Sequence, residues 1–154
     1  MTPRYWLGVV SRSHVERGVA GGFAQLCHGK AAPLKRMQAG DYLIYYSPKT
    51  ETNGGAPLQI FTAMGIVADD VVYQYAMSAD FMPYRRNIQY HPCQAAPIKP
   101  LISQLEFIKD PTHWGAPLRF GHLEISASDF QRIAAAMQTT ISPEAHDRQL
   151  NIPF

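Results

Sequence analysis

The stretch GGFAQLCHGK, residues 21–30, puts Cys27 directly beside His28, the one pairing in the chain that invites nucleophilic chemistry. A thiolate is a strong nucleophile and an imidazole can take its proton. Catalytic cysteine and histidine normally meet across space from separate segments, however, and no cysteine-hydrolase signature surrounds this pair. The same stretch is better equipped to hold a flat ligand. Gly21 and Gly22 let backbone approach closely, Phe23 offers a stacking face, and Gln25 carries both an amide donor and an acceptor. Lys30, Lys35 and Arg36 follow with positive charge. A stacking ring, an edge-reading amide and nearby cations are what an unpaired nucleobase requires.

Other segments add candidates of the same kinds. Tyr84 and Trp114 are further rings, Ser11 and Ser47 stand where two strands should end, and His28 can line a pocket. Arg85, Arg86 and Arg119 are suited to phosphate, since a planar guanidinium gives bidentate contacts that lysine cannot. Each has an ordinary structural alternative: rings pack in cores, serines cap turns, and surface cations are solvated. The six histidines form neither HExxH nor HxH, and the carboxylates are scattered, so neither a metal nor a catalytic acid–base pair is expected. Gly21-Gly22 lacks a phosphate-loop context, and no cofactor is expected.

The 154 residues are 46% hydrophobic and 17% charged, enough for one core of ordinary size. A net charge of +2 excludes wholesale electrostatic coating of nucleic acid, so contact with phosphates must come from a local patch. Cys27 and Cys93 lack CxxC spacing and make no disulfide framework, which fits a reducing, cytoplasmic setting. The opening MTPRYWLGVV does not read as a secretory signal, and no run is long enough to span a membrane.

The elements that would position these residues read as an α+β domain over 1–140 with a tail over 141–154 that a partner chain could order. Tyr5 to Ser11 is an opening strand, and Ser13-His14-Val15-Glu16 reads as a capping box for a helix that Gly18 should end. Pro33 to Met37 makes a helical turn. Tyr42–Ser47 and Leu58–Val67 are strong strands, with a turn at Asp69-Asp70 and a short third strand from Val71 to Tyr75. Phe81–Tyr90 is a strand carrying Pro83 at an edge or bulge. Ile98–Leu105 is a short helix, Arg119–Ile125 a strand, and Ser126 or Ser128 caps a final helix whose Phe130, Ile133, Ala134 and Met137 face the core.

The segments YWLGVVS, GVAGGFAQLCHGK, PLKRMQAGDYLIYYSPK, FTAMGIV, FMPYRR and WGAPLRFGHLEIS, in that order over roughly residues 4–137, closely resemble the EVE domain, a relative of the PUA, ASCH and YTH domains. The resemblance implies a PUA-like, curved or barrel-like mixed β-sheet with peripheral helices. It also implies a reader that holds a modified or extruded base of DNA or RNA in an aromatic pocket. Phe23 and Trp114 would then take pocket positions, although the chain has only two tryptophans, Trp6 and Trp114, and so no three-tryptophan cage. Such a reader would act through a separate effector protein, or by binding alone, protecting or sequestering its ligand. The alternatives are a small-molecule-binding protein or enzyme using Cys27 and His28, and a protein-interaction domain that forms a homo-oligomer.

Overall fold

The computed structural model describes residues 2–139. Its strands are β1 (Tyr5–Val9), β2 (Phe23–Ala24), β3 (Tyr42–Lys49), β4 (Pro57–Gln74), β5 (Tyr84–Tyr90), β6 (Ala96–Pro97) and β7 (His122–Ile125). Its α-helices are α1 (Arg12–Gly21), α2 (Ala31–Arg36) and α3 (Ala127–Ala136). The strands form one mixed sheet in the order β2-β5-β4-β3-β1-β7, with β6 pairing onto β4. β1 and β3 run parallel, with Leu7 opposite Ile44, and the other pairs are antiparallel. The sheet is open, ending at β2 and β7. No helix among the described residues is long and apolar enough to cross a membrane.

Side chains of a strand alternate between faces, and here both faces are buried. Tyr5, Leu7, Tyr42, Ile44 and Tyr46 lie on one face with Phe130 and Ile133 of α3. Trp6, Leu43 and Tyr45 lie on the other with Val15 of α1 and Leu34 of α2. The α+β architecture with outlying helices is therefore the one the resemblance implied. α3 also follows its sequence pattern: the Ser126 Oγ accepts from the Asp129 backbone N–H at 3.1 Å, and Phe130, Ile133, Ala134 and Met137 are buried.

Several local expectations need correction. α1 starts after Ser11, with no side-chain capping bond, and leaves Ser13 inside the helix. The helix also runs through Gly18 to Gly21. Gly18 is a point of close approach, since a Cβ there would lie 2.7 Å from the Phe23 carbonyl oxygen, and it is Gly22, at φ +72°, that ends the helix. β4 passes straight through Asp69-Asp70, and the register break between Val67 and Val72 makes this an irregularity rather than a turn. Pro83 precedes β5, its carbonyl accepting from the Tyr75 N–H at 2.9 Å.

Ile98–Leu105 contains only a 3-10 turn at Lys99–Leu101. β7 begins at His122, because a 3-10 turn over Ala116–Phe120 and Gly121 at φ +76° occupy the residues before it. The tail expected over 141–154 lies outside the described residues.

Candidate functional site

Because β1 and β3 are parallel, their carboxyl ends reach the same edge of the sheet, where antiparallel β7 begins. A cavity of about 540 Å³ opens there. Val9, Val10 and Ser11 line it from the end of β1, Pro48 and Lys49 from the end of β3, and Leu118 to Gly121 from the turn before β7. α1 contributes His14 and Arg17, and the β4–β5 connection contributes Met77 and Phe81.

Cys27 and His28 form part of the wall in a left-handed run, with φ of +48° and +61° followed by Gly29 at +81°. Each non-glycine residue in that region costs on the order of 1–2 kcal/mol. Gly29 is sterically required, since a Cβ there would lie 2.4 Å from the Pro83 Cβ. The strained run is thereby held against the start of β5.

The electrostatics favour a neutral or anionic guest. Arg17, Lys49 and Arg119 line the cavity, and among the described residues no carboxylate does. The His14 Nε2 lies 3.0 Å from the Gln25 backbone oxygen, which can only accept, so Nε2 carries the proton. Burial is the main cause of the lowered His14 pKa, opposed by the hydrogen bond to the Gln25 carbonyl and assisted by Arg17 and Arg85, and the shift favours the neutral imidazole. Burial raises the Cys27 thiol, against the opposing pull of Lys30 and Arg36, and its Sγ faces the Phe120 carbonyl oxygen at 3.8 Å. That shift is opposite to the one that activates a nucleophile.

Of the residues singled out from sequence, Ser11, Gln25, His28 and Arg119 line the cavity. Gly21 and Gly22 end α1 away from it. Phe23 does not present a free ring face on both sides. The Arg85 guanidinium sits 3.9 Å from its centroid and 4.0 Å from that of Tyr75. Ser47 is fully buried and bonds to the Thr62 hydroxyl at 2.9 Å. Tyr84 and Trp114 are half-buried against the two cores. Lys30, Lys35 and Arg36 are exposed around α2 without lining the cavity.

Arg86 is only 2% exposed. Its guanidinium donates to the carbonyls of Leu34 (2.8 Å), Met37 and Asp69 (2.7 Å), and to the Asp70 carboxylate at 3.2 Å. The cavity's own rings are Phe81, 39% exposed, and Phe120, 77% exposed. Nothing in sequence separates an exposed phenylalanine from a core one, and His14, Arg17 and Lys49 carry no motif.

Over residues 4–136 the sequence matches the family model described as the EVE domain. The chain belongs to the EVE domain family. It is 50% identical over 142 residues to the UPF0310 protein YdcG of Bacillus subtilis, covering 92% of this chain and 97% of that one. It is 54% identical over 127 residues to a UPF0310 protein of Bacillus licheniformis, covering 82% and 86%. Among solved structures, this EVE domain shares its fold with the YTH domain of Zygosaccharomyces rouxii MRB1, described in complex with N6-methyladenosine RNA. That match has a TM-score of 0.57 and 12% identity, covering 90% of each chain.

Proposed function

We propose that this EVE domain is a nucleic-acid-binding module that takes a modified or extruded base of RNA or DNA into the cavity at the β1–β3–β7 edge. The observation that carries the reading is the make-up of that cavity, which combines two exposed phenylalanines with three cations and, among the described residues, no carboxylate. Phe120 and Phe81 stack the base, Ser11, His28 and Gln25 meet its edge, and Arg17, Lys49 and Arg119 hold the flanking phosphates. The shared fold with a YTH domain bound to methylated RNA supports the same reading. The raised Cys27 thiol counts against an enzyme built on Cys27 and His28.

The test is fluorescence anisotropy at fixed salt, using single- and double-stranded RNA and DNA with unmodified, methylated and hydroxymethylated bases. Phe120 is so exposed that Phe120→Ala should leave stability within about 0.5 kcal/mol of the parent. It should nevertheless remove about 1–3 kcal/mol of stacking, weakening binding roughly 5- to 150-fold. Arg119→Ala should weaken all sequences alike and lower the salt slope by about one. A parent that binds no member of the panel, or a Phe120→Ala variant that binds as well as the parent, overturns the proposal.

A further inference from the structure

Gln25 is 4% exposed, lines the cavity, and is fixed from two sides. Its backbone oxygen accepts from His14 at 3.0 Å, and its side-chain Oε1 accepts from the Arg85 Nε at 3.1 Å. Arg85 is itself 9% exposed and clamped between the Phe23 and Tyr75 rings. Guanidinium has donors and no acceptor, so the Gln25 amide can face it only with its oxygen. The amide thus loses the ambiguity that lets a free glutamine read either donors or acceptors. Among the described residues its Nε2 donates to no other group.

Resting on the nucleobase reading above, we infer that Arg85 is a positioning residue that locks Gln25 as a donor, so that the cavity selects bases presenting an oxo group over otherwise matched bases presenting an amino group. An oxo base supplies the acceptor that Nε2 needs. An amino base sets donor against donor in a buried wall, and a site built to hydrogen-bond one group discriminates strongly against a partner lacking it. Phe23 and Tyr75 act in this scheme by holding the guanidinium plane, and Phe23 does so without touching the base.

The probes are short fluorescein-labelled single strands in which one base stands among abasic sites: uracil against cytosine, and hypoxanthine against adenine. The parent should bind the oxo member of each pair about tenfold or more tightly. Gln25→Met and Arg85→Met should bring the ratio close to one, while Arg85→Lys, which keeps a donor, should retain most of it. A merely structural role for Arg85 would weaken both members in proportion and leave the ratio untouched. If Arg85→Met does not fold, Gln25→Met and Arg85→Lys still decide the matter. A parent that binds all four probes equally, or an Arg85→Met ratio equal to the parent's, overturns the inference alone. A parent that binds none of them overturns the nucleic-acid reading with it.

Discussion

Arg86→Met tests whether the second arginine of the FMPYRR segment is a structural anchor. In the native fold the side chain closes a gap between the end of α2 and the irregular part of β4, with acceptors on both. Methionine can fill much of the volume but donates nothing. The Leu34 and Met37 residues are buried, at 0% and 2% exposure, so their carbonyls lose a partner with little access to water. Each unpaired acceptor costs about 1–3 kcal/mol. The half-buried Asp69 carbonyl can partly rehydrate, and the Asp70 carboxylate, 82% exposed, contributes little.

The sum is a loss of about 3–5 kcal/mol, a large part of the stability of a domain this size. At roughly 3 °C per kcal/mol, the melting temperature should fall by about 10 °C or more. Urea denaturation followed by circular dichroism gives the free energy directly. A loss under about 1 kcal/mol would refute the anchor. So would a drop of about one in the salt slope of nucleic-acid binding by folded variant, because that is the signature of a lost phosphate contact.

Gly29→Ala should cost about 2 kcal/mol or more, since φ is +81° and the new methyl would press on Pro83; an unchanged urea midpoint would contradict this. The pH dependence of stability should carry a clear contribution from His122, whose pKa burial, assisted by Arg36, lowers to about 4. In the unfolded chain the same imidazole takes up its proton near 6.5. Its contribution is therefore complete above about pH 6.5 and is lost as pH falls toward 4, by about 3 kcal/mol in all. His122→Phe, which keeps an aromatic ring stacked on Trp6, should flatten the stability profile between pH 7 and 4.5; an identical slope would exclude His122 as its source.

Much of the fold was legible where a local signal and its tertiary use coincide. The continuous aromatic and aliphatic β3 run, buried on both faces, and the capped, one-faced α3 are of this kind. The misread places are those where distant residues decide. Gly18 reads as a helix stop but serves the carbonyl of Phe23, and Asp69-Asp70 reads as a turn but is held in a strand by Arg86. The site divides in the same way. Ser11, Gln25, His28 and Arg119 reach the cavity, since strand ends and strained loops gather there. Phe23 does not offer its ring freely because Arg85, sixty-two positions on in sequence, covers it. Phe81 and Phe120 were silent because exposure is a property of the folded chain.

The parallel pairing of β1 with β3 has a consequence for when the cavity can exist. Its walls come from segments between Val9 and Gly121, and no two neighbouring elements enclose it. A nascent chain that has not yet delivered the turn at Leu118–Gly121 lacks one whole wall, so binding competence should arrive late in synthesis and all at once. The same geometry links occupancy to the global folding equilibrium rather than to one loop. A ligand at a hundred times its dissociation constant would stabilise the whole domain by about 2.7 kcal/mol, so the protein's lifetime in the cell would itself report whether the cavity is filled.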